Sequence, residues 1–146
     1  MSKVYRSSVL SASTDKVWSK IRDFNALPEW HPVIEKSYIE DGKTGDEVGC
    51  VRNFNLTDGA NFREKLLTLS DVEHICTYSM LTSPLPLQNY IATLRLFPVT
   101  DGNQTFIEWV AEFDCSSEDE ESLTSLVGEG VFQAGFNALK SICEGL

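Results

Sequence analysis

Residues 50–66 read Cys50-Val51-Arg52-Asn53-Phe54-Asn55-Leu56-Thr57-Asp58-Gly59-Ala60-Asn61-Phe62-Arg63-Glu64-Lys65-Leu66, two alternating runs joined at a glycine. Alternation marks strands, and the short link marks a hairpin, which closes in one of two ways. A two-residue Asp58-Gly59 turn pairs Thr57 with Ala60 and mixes Cys50, Phe54 and Leu56 with Asn61, Arg63 and Lys65 on one face. A three-residue loop, Thr57-Asp58-Gly59 with Gly59 left-handed, pairs Leu56 with Ala60 instead. One face then carries Cys50, Arg52, Phe54, Leu56, Ala60, Phe62, Glu64 and Leu66; the other carries Val51 among Asn53, Asn55, Asn61, Arg63 and Lys65. A slip of one residue turns every side chain to the opposite face, so the clean separation selects the three-residue loop. Arg52 and Glu64 are thereby expected opposite one another on an inward, apolar face.

Working outward, the same pattern repeats. Val33–Glu40 and Val48–Leu56 precede the hairpin turn, and Ala60–Ser70, His74–Thr82, Leu87–Pro98 and Gln104–Cys115 follow it. Asp41-Gly42, Ser83-Pro84-Leu85-Pro86 and Thr100-Asp101-Gly102-Asn103 supply the turns. Links this short make consecutive strands antiparallel neighbours. Upstream, Lys3–Ser11 reads as a first strand. Ser13-Thr14-Asp15 then caps a helix whose face is Val17, Trp18 and Ile21, and Pro28-Glu29-Trp30-His31 forms a second short turn stopped by Pro32. At the far end Glu118-Asp119-Glu120-Glu121 places carboxylates at a helix start. Leu123, Leu126, Val127, Val131, Ala134, Ala138 and Ile142 extend an apolar stripe from there. The expected architecture is α+β: a curved antiparallel sheet of about seven strands wrapped around a long C-terminal helix, with two short helices after strand 1. No repeat or linker divides it, so residues 1–146 are expected to form a single domain.

Bulk properties narrow the function. The 146 residues are 42% hydrophobic and carry a formal net charge of −10, which disfavours nucleic acid and anionic membrane surfaces as partners. No signal peptide or membrane-crossing run is legible. The four cysteines, Cys50, Cys76, Cys115 and Cys143, are widely spaced and read as free thiols, so no metal is expected and the cytoplasm is the expected compartment.

Four segments carry a resemblance: Leu27-Pro28-Glu29-Trp30-His31-Pro32-Val33-Ile34, Val48-Gly49-Cys50-Val51-Arg52, Glu64-Lys65-Leu66 and Asn89-Tyr90-Ile91-Ala92-Thr93. In this order they resemble the polyketide cyclase/dehydrase-like proteins of the START-like (SRPBCC) superfamily, whose fold is the helix grip. The resemblance spans nearly the whole chain. Lachrymatory-factor synthases share part of it, with catalytic roles implied for Arg52 and Glu64 and pocket positions for Tyr78 and Tyr90. Plant abscisic-acid receptors share another part, which implies a polar network at Arg52, Glu64 and Tyr90 and puts His31 where a hormone-pairing lysine stands. The receptor gate, Ser-Gly-Leu-Pro, is replaced by Thr57-Asp58-Gly59, and the His-Arg-Leu latch is absent. The long insertion of the synthases between arginine and glutamate is missing as well.

The candidate site follows from both lines. Arg52 and Glu64 read either as a core ion pair fixing register or as polar anchors in a pocket. Tyr78 and Tyr90 share inward parity with their apolar neighbours and read as core residues or as donors to a ligand. Trp109 is expected in the pocket wall, and Phe54, Phe62 and Val131 are expected ligand contacts. His31 is open between ligand contact and surface, and His74 is expected in a solvated turn. Gly128, Gly130 and Gly135 in one helix indicate either close packing or space kept for a ligand. The expected partner is a small, largely apolar or amphipathic molecule bound without a cofactor, with Arg52, Glu64, Tyr78 and Tyr90 as polar anchors. Two rivals stand beside it. One is a cofactor-independent cyclase, dehydratase or isomerase using Glu64 as acid/base and Arg52 as oxyanion stabiliser. The other is an interaction protein whose acidic surface takes a basic partner. Oligomeric state is not legible.

Overall fold

In the computed structural model, which describes residues 1–144, seven strands form one antiparallel sheet. They are β1 (Ser2–Leu10), β2 (Ile34–Ile39), β3 (Val51–Leu56), β4 (Asn61–Ser70), β5 (Ile75–Thr82), β6 (Gln88–Val99) and β7 (Gln104–Asp114). Their order is β1-β7-β6-β5-β4-β3-β2, so neighbours in sequence pair by hairpins and the first strand closes onto the last. Register breaks at Ile34/Lys36, Arg63/Glu64, Leu66/Thr68 and Gln88/Ile91 bend the strands and curl the sheet.

Two helices, α1 (Thr14–Ile21) and α2 (Leu27–Trp30), follow β1. The Ser13 hydroxyl accepts from the Lys16 amide at 3.3 Å and caps α1, which buries Val17, Trp18 and Ile21. Trp18 also ties α1 to the sheet: its Nε1 donates to Asp71 at 2.7 Å, and Arg22 holds the same carboxylate. His74 sits in a left-handed turn, φ 54°, as the sequence suggests, yet its ring is half-buried 5.4 Å from the Trp18 ring. Strand β3 begins at Val51 rather than Val48, because the Cys50 amide donates to the Glu47 carbonyl in a turn that contains Gly49 at φ 95°.

The C-terminal helix fills the concave face. It runs as α3 (Glu120–Ser125), a π-helical segment (Leu126–Gln133) and α4 (Ala134–Cys143). The expected stripe is corrected here. Leu123 and Val127 are buried, but Leu126 is 44% exposed and Ala134, Ala138 and Ile142 are only half-buried. The face against the sheet is Leu123, Val127, Phe132, Phe136, Leu139 and Cys143. The step of five from Val127 to Phe132 is the π-helical one, which rotates the following turns by one residue. The three helical glycines separate by role. A side-chain carbon on Gly135 would stand 3.0 Å from the Trp109 ring, 3.2 Å from His31 and 3.2 Å from Trp30, so that glycine is the close approach of helix to core. Gly128 faces Arg6, and Gly130 borders a cavity.

All four cysteines are free, and burial pushes the Cys76 thiol up to about 11, so it packs as an apolar group. Among the described residues no helix is long and apolar enough to cross a membrane.

Candidate functional site

The hairpin of β3 and β4 closes as its pattern requires. Leu56 and Ala60 meet through the Leu56 amide and Ala60 carbonyl at 2.9 Å, with Gly59 at φ 93°. The register then sets Phe54 against Phe62 and Arg52 against Glu64. Both charged residues are buried, at 6% and 5% exposure. Arg52 donates to Glu64 Oε1 from Nε at 3.0 Å and from Nη2 at 2.7 Å, and Nη1 donates to the Phe24 carbonyl at 3.3 Å. The guanidinium lies 3.8 Å from the centre of the Phe24 ring and 4.8 Å from that of Tyr78, so aromatic faces cover it as well.

Between this sheet floor and the helix lies a cavity of about 300 Å³. Its wall includes the nine residues expected as anchors or ligand contacts, His31, Arg52, Phe54, Phe62, Glu64, Tyr78, Tyr90, Trp109 and Val131, but not His74, Gly128 or Gly135. Leu27, Val33, Ile34, Leu56, Thr57, Asp58, Met80, Leu85, Leu126, Val127 and Gly130 complete it. Of these, Leu85 and Asp58 come from turns, where strand parity gives no direction. Leu126 and Gly130 come from the π-helical segment, which no simple periodicity describes.

His31 faces inward and is 2% exposed, which excludes the surface alternative. Its Nε2 lies 2.8 Å from the Val131 carbonyl, and a carbonyl only accepts, so Nε2 carries the proton. The Val33 amide donates to Nδ1 at 3.4 Å. Burial lowers the imidazole pKa below its ordinary value, the Val131 bond opposes this, and the nearby Arg52 charge lowers it further. A neutral ring is the result at physiological pH.

Burial raises the pKa of Glu64 above the usual carboxylate value, while the charge and hydrogen bonds of Arg52 pull it back. Two Arg52 donors converge on Oε1, an arrangement that favours the charged form of the side chain. The phenols of Tyr78 and Tyr90 are raised by burial, and both remain protonated. Trp109 Nε1 donates to the Tyr78 hydroxyl at 3.1 Å, which leaves that hydroxyl's own proton available. The Trp109 ring stacks on Phe132 with centroids 4.5 Å apart, fixing the helix side of the wall.

Comparison with known proteins agrees with the fold. Residues 1–144 match the family described as polyketide cyclase / dehydrase and lipid transport. A 93-residue stretch, 61% of this chain, is 30% identical to the abscisic acid receptor PYL7 of Arabidopsis thaliana and spans 42% of that receptor. The protein XoxI of Bacillus cereus has the same fold with a TM-score of 0.87 at 30% identity, over 98% of this chain and 96% of that one. Norcoclaurine synthase of Thalictrum flavum shares the fold at 17% identity, with a TM-score of 0.79 over 99% of this chain and 94% of its own. The chain belongs to the polyketide cyclase/dehydrase and lipid transport family, and its fold is the helix grip.

Proposed function

We propose that this chain is a single-domain, cytoplasmic binding protein for a small, largely apolar molecule held between the sheet and the C-terminal helix. Arg52, Glu64, Tyr78 and Tyr90 orient it, while Phe54, Phe62, Trp109 and Val131 enclose its apolar body and His31 braces the helix. The observation that carries this reading is a cavity of about 300 Å³ with a buried ion pair in a largely apolar wall. A dry cavity of roughly half that size accommodates benzene, so the space suits a molecule of about two rings. The hormone receptor among the relatives supports the same class of occupant. Free, buried thiols support a reducing compartment. Native mass spectrometry of freshly purified protein is the test: a co-purifying small molecule, lost on denaturation, is the expected result.

A second reading draws on Glu64 alone. A buried carboxyl of raised pKa in a cavity wall suits proton transfer, with Arg52 stabilising an oxyanion and a tyrosine donating. Under this reading Glu64→Gln leaves binding nearly intact and lowers turnover of a carbonyl substrate by roughly two to four orders of magnitude. Under the first, the same substitution changes affinity by about 1–3 kcal/mol.

A further inference from the structure

The charges around the cavity decide more than its apolar character. Its polar wall consists of His31, Arg52, Thr57, Asp58, Glu64 and the two tyrosines. Arg52 is the cation among them, and its charge is matched by Glu64 at 2.7 Å while its faces are covered by Phe24 and Tyr78. His31 has its Nε2 proton committed to the Val131 carbonyl. An incoming anion therefore meets no unmatched positive charge, and would lose its hydration in an apolar space. Glu64 Oε1 takes both Arg52 donors, which leaves Oε2 without a hydrogen bond among the described residues. Asp58 adds a second carboxylate to the wall.

Resting on the binding reading above, we infer that the cavity selects a compact apolar molecule bearing a hydroxyl or amino donor, aimed at Glu64 Oε2, and rejects carboxylates. A hydroxyl satisfies the site in both directions: it donates to Glu64 and accepts from a tyrosine hydroxyl. A carboxylate of the same shape accepts from the tyrosines but faces Glu64 with like charge. An ammonium gains the charge-assisted form of the same bond. The occupant thus differs in kind from an acid whose carboxylate pairs with a lysine, because His31 here is neutral and turned to the helix backbone.

The test is displacement of a neutral fluorophore, N-phenyl-1-naphthylamine, from the intact protein at pH 7.5 by a matched set: 2-naphthalenemethanol, 2-naphthylmethylamine and 2-naphthoate. Saturable binding of the fluorophore, with the alcohol and the amine each displacing it at concentrations at least roughly tenfold lower than naphthoate, is the expected result. Saturable binding with naphthoate equal or superior overturns the donor inference while leaving the pocket intact. No saturable binding overturns the pocket reading itself, and this inference with it. Glu64→Gln provides a second readout in protein shown by circular dichroism to be folded. Freed from its carboxylate, Arg52 should then favour the anion, so the ratio between alcohol and naphthoate should fall toward one or invert. An unchanged ratio in the folded variant removes Glu64 as the selecting group.

Discussion

Replacing Glu64 by leucine, and Arg52 by methionine, separates what the buried pair does for the site from what it does for stability. In Glu64→Leu the guanidinium stays at a position with 6% exposure and loses both bonds to Oε1, keeping one 3.3 Å bond to the Phe24 carbonyl and its aromatic cover. An uncompensated buried charge costs about 3–5 kcal/mol. For a chain of this length that corresponds to a fall in Tm of roughly 6–20 °C, at about 2–4 °C per kcal/mol. The double variant, Arg52→Met with Glu64→Leu, has no charge left to bury. It orphans only the Phe24 carbonyl, at about 1 kcal/mol, against the stabilisation of about 1–4 kcal/mol seen when apolar residues replace buried pairs. The double variant should therefore be at least as stable as the parent to within about 1 kcal/mol. Urea unfolding of the four proteins closes the cycle. If the two single substitutions cost under about 1 kcal/mol each, the pair is not desolvated as described; if the double variant is as unstable as their sum, the pair is a stability element and its value to a ligand is unsupported.

Three further expectations follow from particular contacts. His31 has a folded pKa below its unfolded value, so the unfolded chain takes up the proton first; the stability it confers is present above about pH 6.5 and is lost as pH falls through the folded pKa. Comparing urea midpoints at pH 7.5 and 5.5 should show a smaller acid loss in His31→Gln than in the parent, whereas equal losses would mean that His31 is not buried neutral. Gly135→Ala pushes a methyl to 3.0 Å from the Trp109 ring and should destabilise by about 1–3 kcal/mol, while Gly128→Ala meets the movable end of Arg6 and one Val4 methyl at 3.3 Å and should cost less than Gly135→Ala. Thermal melts that rank the two alike would refute the packing described for α4. The Arg63–Glu40 pair should persist in the folded protein down to about pH 2, since the Arg63 bonds hold the Glu40 carboxyl down at about 2; its contribution to stability is complete above about pH 4.5 and is lost as pH falls through the folded value. Its exposure to solvent keeps the effect small in an acid titration followed by circular dichroism.

The parts of this site that were legible in sequence are those where a rigid period meets a rigid turn. Strand alternation and one glycine suffice to oppose Arg52 and Glu64, because only one register separates the two faces. Tyr78, Tyr90 and Trp109 follow from parity on their own strands. The helix stripe was misread beyond Val127 because a π-helical step leaves no mark in a pattern of period 3.6; Phe132, Phe136 and Leu139 replace Ala134, Ala138 and Ile142 on the buried face. Val131 survives as a wall residue because the rotation turns it from the core toward the cavity rim. The state of His31 was beyond local sequence, since it depends on a carbonyl a hundred residues away. Leu85 and Asp58 were invisible for a related reason: turns aim side chains by tertiary contact, not by period.

The claim that the space between sheet and helix is a binding site is tested most directly by filling it from the side that carries no charge. Val131 is half-buried, borders the cavity and belongs to neither the ion pair nor the aromatic stack, so Val131→Phe should occupy the space while leaving stability within about 1 kcal/mol of the parent. Equilibrium titration of both proteins with N-phenyl-1-naphthylamine should give saturable one-to-one binding in the parent and a loss of at least roughly tenfold in affinity in the filled variant. Equal binding by the two folded proteins would place the probe elsewhere and contradict the site.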